Sequence, residues 1–122
     1  MKKTIKVLLF DDDIMVLRVL NKVLSRKGFE VATSKTAFDI FTTIAQHSPD
    51  IIIMDHDMPV VSGFEAIKQL KANEHTHLIP VIYFSSADGL AALAKEAGAD
   101  SFVSKSSPTE HLTDRIESLI EA

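Results

Sequence analysis

The 122-residue sequence contains no cysteine and no tryptophan, and only four glycines and four prolines. The absence of cysteine excludes a disulfide framework, a thiolate nucleophile and zinc sites built from cysteine. No apolar run reaches the length of a membrane-spanning helix, and the short run after Lys2 and Lys3 ends in three aspartates, unlike a signal peptide. The net charge of −4 gives no electrostatic reason to expect a nucleic-acid partner. These features predict a cytoplasmic protein that binds neither nucleic acid nor membrane.

The composition is that of an ordinary globular domain. Hydrophobic residues make up 46% of the chain and charged residues 25%, which excludes a disordered protein. A chain of this length is expected to form a single domain, covering residues 1–122, around one core.

Short apolar runs alternate along the chain with segments of helical periodicity. The runs predicted as strands are 5–10, 29–32, 51–54, 81–84 and 101–104. A helix is predicted after each run, and Thr36 is the predicted cap of the second helix. This alternation predicts an α/β fold with a parallel sheet covered on both faces. The order of the strands is not visible in the pattern.

The third run, Ile51 to Met54, has four consecutive apolar residues, three of them β-branched. This pattern is typical of a central strand that is buried on both faces of a parallel sheet. The run ends at Asp55, and Pro59 then prevents any continuation of the strand. Asp55 is therefore expected at the carboxyl edge of the sheet, where open α/β sheets bind their ligands.

Polar residues also follow the other predicted strands. The residues at the strand ends that can carry chemistry are Asp11, Asp12, Asp55, Asp57, Ser85, Ser86 and Lys105. Each one alone also fits a solvated cap or loop. Together at one edge, the carboxylates would repel one another unless a cation neutralised them, and hard oxygen ligands favour Mg²⁺. A lysine and a hydroxyl suit a phosphate, so the set indicates phosphoryl transfer with Asp55 as nucleophile.

These residues resemble those of the receiver domain of two-component response regulators, including the chemotaxis regulators. The resemblance lies in four motifs, in order along the chain: VLLFDDD, IIIMDHDMPVVSG, PVIYFSS and GADSFVSKS. It implies a flavodoxin-like (βα)5 fold, with a doubly wound, five-stranded parallel sheet in the order 2-1-3-4-5.

The resemblance also implies a metal site and a phosphoacceptor. Asp12 and Asp55 would coordinate Mg²⁺ through their side chains, Asp57 through its backbone carbonyl and Asp11 through water. Asp55 would accept the phosphoryl group.

Three further residues take roles from the same resemblance. Lys105 would pair with the phosphoryl group, Ser85 would hydrogen-bond to it, and Phe102 would be the switch aromatic. The chain departs from the family at three places. Ser106 stands where a proline with a cis peptide bond usually follows the lysine, Phe102 lacks the hydroxyl of the commoner tyrosine, and Ser86 replaces a small alanine.

The implied function is signalling and not that of an enzyme acting on a separate substrate. A histidine kinase or a histidine phosphotransfer protein would phosphorylate Asp55 in a Mg²⁺-dependent reaction. Phosphorylation would then change a partner-binding face formed by the fourth helix, fifth strand and fifth helix, and no output domain is expected in this chain.

Two alternatives stay open at the level of sequence. The first is a receiver-like interaction module that is not phosphorylated. The second is a phosphatase, because Asp55-His56-Asp57 resembles the Asp-x-Asp motif of haloacid-dehalogenase-type enzymes. That motif continues with threonine or valine where this chain has Pro59.

Overall fold

The computed structural model describes residues 3–121. Five strands alternate with five helices: β1 Lys6–Phe10, α1 Ile14–Arg26, β2 Glu30–Ser34, α2 Ile40–His47, β3 Ile51–Asp55, α3 Gly63–Ala72, β4 Val81–Ser85, α4 Leu90–Ala97, β5 Ser101–Ser104 and α5 Thr109–Glu121. None of the helices in this part of the chain has the length and hydropathy needed to cross a membrane.

All strand pairs are parallel, and the sheet has the order β2-β1-β3-β4-β5. The predicted α/β class, flavodoxin-like topology and strand order are confirmed. β3 lies at the centre, paired with β1 on one side and β4 on the other. Every residue of β3 is buried, which explains its unbroken apolar sequence.

The two faces of the sheet bury separate apolar clusters. One face packs against α1 and α5, through residues such as Leu20, Leu24 and Ile116. The other face packs against α2, α3 and α4, through residues such as Ile40 and Ile67. Because consecutive strand residues point to opposite faces, the central strands contribute to both clusters. Both faces are therefore covered by helices, and polar side chains from different strands meet at the carboxyl ends of the strands.

The start of the second helix was predicted wrongly. Thr36 does not cap α2, which begins at Ile40 after Asp39. The Thr36 hydroxyl instead accepts a hydrogen bond from the backbone N–H of Phe38 at 3.0 Å, and the Ser34 hydroxyl donates to the Thr36 carbonyl at 2.8 Å. These bonds form a turn of the kind that serine and threonine favour, and the turn delays the helix.

Candidate functional site

Three aspartates meet at the carboxyl edge of the sheet. Asp11 and Asp12 follow β1, and Asp55 is the last residue of β3. One carboxylate oxygen from each lies within 4.8 Å of the others. Asp11 is 0% exposed and Asp55 is 3% exposed, whereas Asp12 faces solvent. β1 and β3 are hydrogen-bonded neighbours, so their ends bring the two buried carboxylates together.

Lys105, just after β5, reaches across to this cluster. Its Nζ lies 2.8 Å from Asp11 Oδ2 and 2.8 Å from Asp55 Oδ1, and its side chain is 23% exposed. Its backbone N–H donates to the Ser85 carbonyl at 3.0 Å, which ties the turn after β5 to the end of β4. No peptide bond within residues 3–121 is cis, so the bond to Ser106 is trans. The lysine therefore reaches the carboxylates without the proline that usually follows it in the family.

Burial and neighbouring charges shift the pKa values of this cluster. Burial is the largest cause that raises the pKa of Asp55, and the charge of Asp11 raises it further, while Lys105 opposes both. Burial alone would lower the pKa of Lys105, but its contacts with Asp11 and Asp55 raise it above its ordinary value. Lys105 therefore stays charged at neutral pH and offsets part of the carboxylate repulsion.

The cluster has the ligand chemistry of a site for a hard divalent cation. Asp11 Oδ1 accepts a hydrogen bond from the Asp13 N–H at 2.9 Å. The buried Asp11 Oδ2 has the Lys105 ammonium as its partner, at 2.8 Å. Three carboxylates and one ammonium leave a net charge of −2 when all are ionised. Oxygen-only ligands and this residual negative charge together fit Mg²⁺.

The other residues predicted for the site lie around this cluster. The Asp57 side chain is exposed, two residues beyond β3, and is not part of the carboxylate group. Ser85 ends β4 and is 2% exposed, and its hydroxyl accepts a hydrogen bond from the Ala87 N–H at 3.0 Å. The hydroxyl can still donate its own hydrogen. Ser86 faces solvent, and Phe102 on β5 is 41% exposed, so its ring lies outward in this structure.

Three features near the site were not predicted. Gly63 begins α3 so close to β3 that a Cβ there would lie 1.8 Å from the Asp55 carbonyl oxygen. The turn between them places Val60 at φ 69°, with a 2.7 Å hydrogen bond from the Val61 N–H to the Pro59 carbonyl. A β-branched residue at positive φ costs of order 1–3 kcal/mol. The third feature is a contact between His56, the residue after β3, and the buried Tyr83.

The fold and the site define a flavodoxin-like α/β domain with an acidic site at the carboxyl edge of its sheet. The family model that matches the chain is the response regulator receiver domain, over residues 7–117. This chain therefore belongs to the response regulator receiver domains, the signalling modules of two-component and chemotaxis systems.

The chain is similar to proteins that differ in length. Protein PilG of Pseudomonas aeruginosa is 33% identical over 115 residues, covering 93% of this chain and 85% of that protein. The transcriptional regulatory protein PrrA of Mycobacterium bovis is 34% identical over 119 residues, covering 94% of this chain and 49% of that protein. The chain thus spans about half the length of PrrA.

A solved structure has the same fold. The receiver domain of the sensor histidine kinase PA1611 from Pseudomonas aeruginosa aligns with a TM-score of 0.88 at 20% identity, covering 98% of this chain and 100% of that one. That structure has a magnesium ion coordinated in its active site cleft.

Proposed function

We propose that this protein is a phosphorylatable receiver domain in which Asp55 accepts a phosphoryl group from a histidine kinase or a histidine phosphotransfer protein. The observation that carries the proposal is the position of the Asp55 carboxylate. It lies at the end of the central strand, 2.8 Å from the Lys105 ammonium and within 4.8 Å of carboxylate oxygens of Asp11 and Asp12. The family match over residues 7–117 supports a single receiver domain spanning residues 1–122.

The chemistry is nucleophilic displacement at phosphorus. A carboxylate oxygen of Asp55 forms a bond to phosphorus, the bond from phosphorus to the donor's imidazole nitrogen breaks, and the imidazole leaves with the electron pair. The product is an acyl phosphate. Before transfer, Asp55 Oδ1 pairs with the Lys105 ammonium, as it does in this structure. As the negative charge moves to the phosphoryl oxygens, the ammonium can follow it over a short distance, which stabilises the transition state and the product.

Asp12 and Asp55 would hold Mg²⁺ through their side chains, Asp57 through its backbone carbonyl and Asp11 through water. The fit rests on the oxygen-only cluster of aspartates and on the negative charge that the single Lys105 ammonium leaves uncompensated. When bound, the ion would neutralise charge on the phosphoryl oxygens during transfer. The magnesium ion in the related PA1611 receiver domain supports this assignment.

Ser85 and Phe102 would carry the signal away from the site. Ser85 is buried at the end of β4, and its hydroxyl hydrogen is available to a phosphoryl oxygen. Movement of Ser85 would leave space for the outward ring of Phe102, and the face formed by α4, β5 and α5 would change for its output partner. Beryllofluoride in place of the phosphoryl group should shift backbone NMR signals from Ser85 through Phe102 into α5. Shifts confined to the surroundings of Asp55 would contradict this route.

The two alternatives are less well supported. The match to the receiver family favours phosphotransfer signalling over a phosphatase with its own substrate. The ion pairs of Lys105 with Asp11 and Asp55 argue against an interaction module that is not phosphorylated. They bring together, at the carboxyl edge of the sheet, the carboxylates and the ammonium that phosphoryl transfer would use. The cytoplasmic location stays a prediction.

The proposal is tested by phosphorylation with acetyl phosphate and Mg²⁺. Intact-mass measurement should detect one phosphoryl adduct that is lost on treatment with hydroxylamine, as an acyl phosphate is. Asp55→Asn should show no adduct, because an amide is a poor nucleophile. Asp39→Asn is the matched control, since it makes the same change at an exposed residue before α2 that lies outside the carboxylate cluster. An equal adduct on Asp55→Asn would show that another residue is the acceptor.

A further inference from the structure

We propose that His56 and Tyr83 form a brace that positions the segment from Asp55 to Asp57, and that this brace sets the affinity of the acidic site for its divalent cation. The proposal rests on the proposed function, because Asp55 and Asp57 are the two cation ligands that it assigns to the end of β3. His56 lies between them and is a positioning residue, since it reaches the cation only through its neighbours.

The register of the sheet explains why these two side chains meet. Tyr83 on β4 pairs with Met54 on β3. Residues two apart along a strand share a face, so His56 follows Met54 on the face that carries Tyr83. The two rings stack with centroids 5.7 Å apart and planes at 29°.

The contact satisfies a polar atom that has no access to water. Tyr83 is 0% exposed, and its hydroxyl hydrogen-bonds to His56 Nδ1. A buried hydroxyl without a partner is destabilising, so Tyr83 holds the imidazole in place. Burial first, and then the charges of Asp55 and Asp57, raise the pKa of Tyr83 to about 12. We assign the phenol as the donor and His56 Nδ1 as the acceptor, which places the imidazole proton on Nε2.

The backbone of His56 is held by separate hydrogen bonds. Its carbonyl accepts hydrogen bonds from the Gly63 N–H at 2.9 Å and from the Met58 N–H at 3.2 Å. Gly63 begins α3, so His56 is tied through its side chain to β4 and through its main chain to α3. Both attachments restrict the two residues that flank it. Loss of the side-chain attachment would free the Asp55–Asp57 segment without removing any cation ligand.

The test compares Mg²⁺ dissociation constants, measured by titration calorimetry on the metal-free protein, with melting temperatures of the same variants. Tyr83→Phe keeps the ring and removes the hydroxyl, so Mg²⁺ binding should weaken about tenfold, as it does when groups that orient metal ligands are removed. His56→Asn places an amide oxygen near the position of Nδ1 and should bind Mg²⁺ like the parent. His56→Gln places its oxygen one bond too far and should behave like Tyr83→Phe. The exposed His75 provides the control substitution His75→Asn.

Two spectroscopic measurements report on the pair directly. Tyr83 is the only tyrosine and the chain has no tryptophan, so near-ultraviolet fluorescence reports on this hydroxyl and should change when Mg²⁺ is added. Nitrogen-15 NMR of the imidazole should place the His56 proton on Nε2. A proton on Nδ1 would overturn the assigned hydrogen bond.

The outcomes separate the brace from the proposed function. If Tyr83→Phe lowers the melting temperature but leaves the Mg²⁺ dissociation constant unchanged, the pair is only structural and the brace is wrong, while the proposed function stands. If the parent protein binds no Mg²⁺, the proposed function fails and the brace fails with it. If Tyr83→Phe does not fold, equal Mg²⁺ affinities of His56→Asn and His56→Gln would overturn the brace.

Discussion

The addition of Mg²⁺ should stabilise this protein against unfolding by an amount that can be estimated. Asp11 and Asp55 are buried beside each other, with one ammonium between them, and exposed Asp12 completes the cluster. A divalent cation cancels the net charge of −2 that these four groups carry when ionised. A ligand that binds only the folded state at a hundredfold excess over its dissociation constant stabilises that state by about 2.7 kcal/mol. A domain of this size gains about 3–6 °C in melting temperature per kcal/mol, so an increase of about 8–16 °C is expected.

Differential scanning calorimetry at constant ionic strength measures this increase, with NaCl in place of MgCl₂ as the reference. Asp12→Ala should remove most of the Mg²⁺-dependent part, because Asp12 supplies an exposed ligand and little packing. Glu96→Ala makes the same change in net charge on an exposed position of α4 and should retain the full increase. A parent melting temperature that does not respond to Mg²⁺ would refute the metal site. An equal loss in both variants would show that the effect is general screening.

Two further predictions follow from the same elements. The pKa of Asp55 is raised, so the folded state binds a proton at this carboxylate more tightly than the unfolded state does. Protonation of Asp55 therefore stabilises the folded state fully below pH 3.8, the ordinary pKa of the group. This stabilisation is lost as the pH rises through the pKa of the folded state. Without metal, Asp55→Asn should therefore unfold at higher denaturant concentration than the parent at neutral pH, and a lower midpoint would contradict the sign of the shift. Gly63→Ala should cost about 3 kcal/mol or more in urea unfolding, because its Cβ would lie 1.8 Å from the Asp55 carbonyl oxygen. The control Gly28→Ala meets no atom within 4 Å and should cost only its backbone strain, about 1–2 kcal/mol, so equal losses would argue against the close approach.

Much of the fold follows from local patterns in the sequence. The run Ile51 to Met54 is apolar without alternation because β3 is buried on both faces. In a parallel sheet all strands end at one edge, so the order of residues along the chain was enough to predict that Asp11 and Asp55 would meet. Strand order came from family resemblance, because periodicity carries no information on which strands are neighbours.

The tertiary structure alone decided the features that depend on distances between packed elements. The pattern of β4 indicated an apolar strand, but only its register against β3 brings Tyr83 into contact with His56. Only the approach of α3 to β3 excludes a side chain at Gly63. Val60 has a positive φ, although β-branched residues strongly prefer negative φ values. Local propensity and periodicity describe one segment at a time, whereas register, close approach and strain are set by several segments packed together.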